Sequence, residues 1–539
     1  MGNQLDDLLV HLGTGRWTVL HCVAMAYSSL FLAPHTFGGA FLAPRLDFAC
    51  LPSYNSSLPN SAFSNSAPTN SALTNSALST LPSPSQASLQ GVCHYVVETP
   101  KGEVAKECVE FAFDNSTFSS TVTSEFNLAC DRAYLQTSFQ SLYMLGIFFG
   151  APVTGYLSDK YGRKRTVVMS TVVYLALGLV SAWLPLLSLI LASRFIMGFF
   201  HSAVSYISYV LMVEVLEPKM RIVAAFGAYN VWVLGTMLYG GLGYGIRDWR
   251  ILQTVMTLPG LLLLPMLWWV DESPRWLIVN GRWREALQVL TKVSRWHDVD
   301  LPPEAEMKAL VQEQATKAQK DSEHLSIWLR LKTVISEVLV LLRTPRLRKR
   351  TLCIYLDFLM AGTVYFGLSL SGAIISDNPF LYMVLSALME VPAYTLTIPL
   401  VRRLGSKGPL SSFFLTSGVV LLALAFTPSA YATTILTLAM LGKVAITGGF
   451  QTIAFFASEL FPTEVRSRGI STSYMMSRIG AMVSPFITDL VGTIYPWAPF
   501  VVFGTGALLA GLGTLMLPET RGQTLPETVA QLEERQTRR

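Results

Sequence analysis

Four ionisable residues fall inside stretches of this sequence that are otherwise apolar: Glu390 in Ala387–Tyr394, Arg478 in Met476–Gly480, Lys443 after Leu441-Gly442 and, more weakly, Asp357. At the centre of a bilayer a charged side chain costs about 2.5–3.5 kcal/mol on insertion scales, so each one calls for a partner or a task. A guanidinium such as that of Arg478 can hold a carboxylate through two parallel hydrogen bonds. A carboxylate such as Glu390, backed by aromatic faces, can hold an ammonium. Phe358 and Tyr365 are seven residues apart, so they share one face of a helix and could supply such rings; Tyr143 is a looser candidate. One carboxylate and one guanidinium together suit a zwitterion. The competing arrangement is structural: Glu390, Lys443 and Arg478 pair with one another, as buried charges commonly do, and the two rings are plain packing. His35 and His201 read as packed or interfacial rather than as proton relays.

The elements that must carry these residues are membrane helices. The 539 residues are 51% hydrophobic and 14% charged, where soluble domains carry about 25% charge. Apolar runs of about 18 residues or more recur, each long enough to span a bilayer. They predict an all-α membrane protein of about twelve spans in two groups of six. A cytoplasmic start at residues 1–17 and a first span at 18–34 lead into a large outer loop at 35–134. Spans 2–6 follow at 135–270, a charged cytoplasmic segment at 271–350, spans 7–12 at 351–517 and a polar cytoplasmic tail at 518–539. The central segment alternates in charge at Arg282–Arg295 and Glu304–Glu323, a pattern of short amphipathic surface helices. No cleavable leader is evident.

Four of the six cysteines, Cys50, Cys93, Cys108 and Cys130, lie in the long loop, which argues for two disulfides in an oxidising compartment with the pairing open among three. Cys22 and Cys353 read as packing residues. Two glycosylation sequons, at Asn55 and Asn115, place the same loop outside. The array NSAFS-NSAPT-NSALT-NSALS from Asn60 is Ser/Asn/Ala-rich and reads as exposed and disordered.

Between the second and third spans stands Gly155–Arg165, GYLSDKYGRKR. Gly155 and Gly162 permit a sharp turn and close backbone approach, Asp159 can accept hydrogen bonds at a helix end, and Arg163 with its basic neighbours holds the turn to the cytoplasmic face. The stretch resembles the signature loop of the major facilitator superfamily. Other charged punctuation supports it: Glu272-Ser273-Pro274-Arg275, Glu459 to Glu464-Val465-Arg466 with Arg468, and Glu214 with Arg221. These carboxylates and guanidiniums could pair across helix ends when the transporter is closed inward and part when it opens.

The stretches Phe126–Arg132 and Gln140–Gly146, the cysteine-bearing loop and Asp248-Trp249-Arg250 together are similar to the organic cation/anion/carnitine transporters of that superfamily, a solute carrier family 22-like resemblance covering all but Asn60–Gln90. Phe126 replaces a usual Trp, and the second-half counterpart of the signature loop is reduced to Val401–Lys407, with no Asp. The resemblance implies that cation-selective members carry an acid where Arg478 stands and anion and carnitine transporters an Arg. It also implies that Glu390 matches an eighth-span acid common in cation transporters, that Tyr394 stands where some anion transporters have Lys, and that Phe358 and Tyr365 match positions lining an aromatic cage.

The expectation is a polyspecific plasma-membrane transporter of organic ions, working by alternating access on a carboxylate-bearing zwitterion of carnitine type or an organic anion. An organic cation facilitator is the alternative within the class, and a non-transporting receptor or sensor the alternative outside it. No P-loop, metal cluster or nucleophile elbow appears, so no enzyme, cofactor or metal is expected, and nothing points to nucleic acid. Coupling to sodium and oligomeric state stay open. If the loop is external, Asn115→Gln should speed the protein's migration on a gel by one glycan; unchanged migration, with wild type equally insensitive to glycosidase, would contradict it.

Overall fold

A computed structural model describes residues 3–51, 93–99, 102–300, 340–521 and 528–534 of the chain. The Asn60–Gln90 array, Asn55 and Glu304–Glu323 lie outside them. Among the described residues twelve long helices form the body: α1 Arg16–Ala40, α2 Cys130–Tyr161, α3 Arg163–Ser181, α4 Leu187–Glu214, α5 Pro218–Gly245, α6 Trp249–Trp269, α7 Pro345–Leu370, α8 Pro379–Leu404, α9 Lys407–Ala425, α10 Ala432–Leu460, α11 Arg466–Phe486 and α12 Ala498–Leu515. Eleven are long and apolar enough to cross a membrane. The exception is α11, whose three arginines and many hydroxyls lower its hydropathy, and which runs on through a π-helical turn at Ile487–Val491. Helices suit this role because every backbone N–H and C=O is satisfied within the segment.

The helices divide into two halves, α1–α6 and α7–α12, each with its own apolar core. In the first half α2 packs on α4 and α1 on α5; in the second α7 packs on α11, and α9 on α10 and α12. The halves meet along α2–α11 and α5–α8. At the end that bears the long loop, direct contacts hold the seam: Ser141 Oγ donates to the Met482 carbonyl at 2.9 Å, Gln136 Nε2 to Asp489 at 3.4 Å, and Phe41 lies against Phe380 with ring centres 4.9 Å apart. The first core accordingly reaches across to Phe366, Phe380, Met383 and Ala481.

At the opposite end, the charged motifs pair within each half. Asp159 and Glu214 both engage Arg163, the latter at 3.5 Å, while Glu272 accepts the backbone N–H groups of Arg163 and Lys164 at 2.9 and 3.1 Å. Arg221 and Arg275 share Asp6, which sits on a short helix at Asn3–Leu12, at 2.6 and 3.2 Å. In the second half Glu459 accepts hydroxyls from Ser406 and Thr520 at 2.8 and 2.6 Å, and Arg466 donates to the Phe461 carbonyl at 3.3 Å. Arg468 lies exposed in the first turn of α11. Contacts at the loop end and in-half pairing at the other describe a molecule closed on the loop side.

The signature loop is also tighter than expected. Helix α2 continues to Tyr161 and α3 begins at Arg163, so the turn is the single residue Gly162, at φ 111°. Its missing side chain leaves room for the Glu272 carboxylate, into which a Cβ would collide. Gly155 lies within α2, and a Cβ there would meet open space, so no close approach depends on it in this state. The second half repeats the device without the Asp: Gly405, at φ 85°, faces Glu519, whose Oε1 would lie 2.8 Å from a Cβ. The counterpart loop is degraded in letters and intact in geometry.

The long loop is folded rather than only polar. Strand β1 (Phe48–Leu51) pairs antiparallel with β4 (Glu110–Phe113), and β2 (His94–Thr99) with β3 (Gly102–Glu107). Disulfides join Cys50 to Cys108 and Cys93 to Cys130. Asn115 is exposed just after β4. Asp248-Trp249-Arg250 clamps this unit down: Asp248 caps α6, Trp249 Nε1 donates to Glu125 Oε2 at 2.8 Å, and Arg250 forms an ion pair with the same carboxylate. Partial burial works against the Glu125 charge, but the hydrogen bonds and the charge of Arg250 win and hold its carboxyl below its ordinary value of 4.5. A carboxyl depressed by folding adds stability that is complete above its ordinary value and is lost as pH falls through the folded one. Hydrogen exchange at Val122–Glu125 should therefore stay slow at neutral pH and quicken only below about pH 4.5, and Glu125→Gln should make it fast at both.

Candidate substrate site between the two halves

Helix α8 is where the site is set. Pro392 has no N–H to offer the carbonyl of Leu388, and its ring crowds that carbonyl, so the helix is interrupted at Met389 between Pro379–Leu388 and Glu390–Leu404. Glu390 thereby stands just past the interruption, one residue after Met389. Both carboxylate oxygens are taken up. Tyr365 OH donates to Oε1 at 2.7 Å and Tyr394 OH to Oε2 at 3.0 Å, while Lys443 Nζ lies 3.0 Å from Oε1. Lys443 donates in addition to Ser369 Oγ at 2.6 Å, and its ammonium lies 3.5 Å from the centre of the Tyr365 ring. The Lys443 and Glu390 side chains are 1% and 3% exposed, so this is a buried, fully engaged pair.

Arg478 stands apart from it. Helix α11 presses onto α7 where Gly362 and Gly480 leave no side chain in the way; a Cβ on Gly362 would strike the Ser477 carbonyl. That contact fixes the rotation of α11 and turns Arg478 toward the other half, where its guanidinium lies 5.9 Å from the Tyr206 ring of α4. Among the described residues Arg478 is half-buried and has no ion pair or hydrogen bond. The expectation that Glu390, Lys443 and Arg478 form one closed network is thus met only for the first two.

Aromatic side chains from both halves surround these charges. Phe37 of α1 contacts Tyr365, Phe366 and Trp232 with ring centres 5.8–6.4 Å apart, a layer on the loop side of the charges. Tyr229 of α5 stacks on Tyr394 across the seam at 5.1 Å. Phe450 lies against Tyr365 at 6.0 Å, and Tyr474 against Phe358 at 4.8 Å. These rings were not singled out in the sequence because nothing in an apolar run distinguishes a ring facing the seam from one facing lipid.

Two aromatic candidates are placed elsewhere. Phe358 is fully buried behind the site against Tyr474 and Phe450, at 4.8 and 6.2 Å. Tyr143 is also buried; its hydroxyl bonds to Tyr174 and His201 at 2.8 and 2.9 Å, and its ring covers the Arg194 guanidinium at 4.3 Å. Spacing puts a residue on a helix face, but the neighbouring helices decide what that face meets. Arg194 itself was passed over although it carries the same signal as Lys443, a charge inside an apolar run. It is wholly buried, donates to the His35 carbonyl at 2.9 Å and is sandwiched between Tyr143 and Phe139. His35 and His201 are packed and hydrogen-bonded, His35 to Thr257 at 3.0 Å. Asp357 is buried in the second-half core, held by Thr514 Oγ1 at 2.9 Å, away from the seam.

Removing one member of a buried pair leaves a stranded charge, at a cost of about 3–5 kcal/mol. Glu390→Gln should lower the melting temperature markedly, and adding Lys443→Met should restore most of the loss; equal melting of both variants would show the pair to be energetically idle.

The family described as "Sugar (and other) transporter" matches residues 91–531. The "Organic cation transporter protein" of Drosophila melanogaster is 33% identical over 97% of this chain and 93% of its own. "Organic anion transporter 3" of Oryctolagus cuniculus is 30% identical over 98% and 93%, and human "Solute carrier family 22 member 13" 32% identical over 84% and 78%. Among solved structures, the proton:xylose symporter XylE bound to 6-bromo-6-deoxy-D-glucose superposes with a TM-score of 0.59 at 15% identity, covering 95% of this chain and 98% of that one. At that identity the likeness is one of fold.

Proposed function

The chain belongs to the sugar (and other) transporter family and, within the major facilitator fold, to its organic cation/anion transporter branch, a class of membrane transporters and not of enzymes; on that footing we propose that it moves carboxylate-bearing organic anions across the plasma membrane by alternating access. One observation carries the choice of anion. Among the described residues Arg478 brings an uncompensated positive charge to the seam, whereas the Glu390 carboxylate is neutralised by Lys443 and hydrogen-bonded at both oxygens. The two relatives named for opposite substrate charges leave the sign open at the level of family.

The mechanism follows from where the halves touch. An anion entering from the side of the chain termini would meet Arg478, which can offer two parallel N–H donors, with Tyr206 and Tyr229 as flat walls for an aryl group. Passage to the other side requires Ser141–Met482, Gln136–Asp489 and the Phe37 layer to part, with the opposite ends closing in compensation. The loop bearing the disulfides and Asn115 then lies outside and both termini in the cytoplasm, as the basic turns between spans favour.

Uptake of labelled p-aminohippurate and tetraethylammonium into cells expressing the protein tests the reading. A hydrogen bond to a charged group contributes about 1.5–3 kcal/mol. Arg478→Ala, matched for surface expression, should therefore reduce p-aminohippurate uptake roughly tenfold to a hundredfold, with Arg478→Lys in between. Uptake of tetraethylammonium alone, unaffected by Arg478→Ala, would overturn it.

A further inference from the structure

The surroundings of the Lys443 ammonium are those of a cation-binding pocket. It has an aromatic face at 3.5 Å (half-buried Tyr365), a carboxylate oxygen at 3.0 Å (buried Glu390) and a hydroxyl at 2.6 Å (buried Ser369). A free organic ammonium would seek the same three things: a ring face, a negative charge and little competing water. Here the ammonium arrives on a four-carbon stem from α10. The two tyrosine hydroxyls on Glu390 show that the pocket is arranged for a negative carboxylate, since both donate to it. An ion pair made only for stability would need neither the ring face nor two phenols.

We propose that Lys443 is a specificity-determining residue: a tethered internal cation that fills the ammonium pocket of Tyr365 and Glu390 and so excludes organic cations from this transporter. The inference rests on the reading that organic ions bind between the halves, and it assigns the rejection of cations to one side chain. A tethered group competes as though present at about millimolar concentration or more, and displacing it would leave a buried charge unpaired, so a free ammonium is doubly disfavoured. The sign of the cargo then has two determinants. Arg478 attracts anions, and Lys443 occupies the place a cation would take. Shortening Lys443 to an uncharged side chain would empty the pocket and leave Glu390, already held by Tyr365 and Tyr394, facing it.

Thermal melting of the purified protein in detergent tests this with two probes, tetramethylammonium and p-aminohippurate, on wild type, Lys443→Met and Glu390→Gln/Lys443→Met. Tetramethylammonium should raise the melting temperature of Lys443→Met by several degrees and leave the other two unchanged, because the double variant has the space without the charge. No response in a folded Lys443→Met protein would overturn the proposal. So would stabilisation of wild type by tetramethylammonium that disappears in the double variant, a result that decides the matter even where Lys443→Met does not fold. The p-aminohippurate arm separates the two readings: stabilisation of all three proteins supports the anion reading, and its absence, with the cation result as expected, removes that reading while this one stands.

Discussion

A charge placed where water cannot reach must be neutralised on the spot or offered to something that arrives, and the centre of this protein contains both solutions side by side. Glu390 and Lys443 neutralise each other at 3.0 Å. Arg478, a few helical turns from the end of α11, has only the face of Tyr206. The cost of an unsatisfied charge within a membrane is a few kcal/mol on insertion scales, small enough for a fold to bear and large enough for a ligand to recover on binding. The helices around the site are arranged to keep that difference: the Pro392 break leaves Glu390 just past the interruption in α8, and the Gly362–Gly480 contact keeps α11 turned so that Arg478 faces the seam.

The ends of the helices carry a second constraint, repeated in each half. Gly162 and Gly405 both sit at positive φ and both face a glutamate from the segment that closes their half, Glu272 and Glu519. Because these contacts stay within a half, each bundle is braced as a unit and can tilt against the other without breaking them. The contacts that cross on the side of the long loop are of kinds that separate readily: a hydroxyl to a carbonyl, an amide to a carboxylate, ring against ring.

Much of this was legible in the sequence, and the reasons differ from feature to feature. Eleven helices announce themselves by length and apolarity, and α11 was legible despite its arginines because the Glu459–Arg468 motif marks where it starts. The charges Glu390, Lys443 and Arg478 stood out for the same physical reason that makes them matter. What the sequence could not say is which of them pair, since Glu390 and Lys443 lie on different helices and meet only through the packing of α8 on α10. Buried Tyr143 and Phe358 show the same limit from the other direction. Arg194 was readable by the rule applied to Lys443 and was missed. The strands of the long loop, His94–Thr99 and Gly102–Glu107 among them, were not marked out by the sequence reading. Polar composition hid them.

The claim on which the rest depends is that a carboxylate goes to Arg478 while Lys443 stays with Glu390. A structure of the protein determined with p-aminohippurate bound would test it most directly. The account predicts the ligand carboxylate within hydrogen-bond distance of the Arg478 guanidinium and the Lys443–Glu390 contact unchanged at about its present 3.0 Å. A carboxylate bound to Lys443, with Glu390 released, would contradict it.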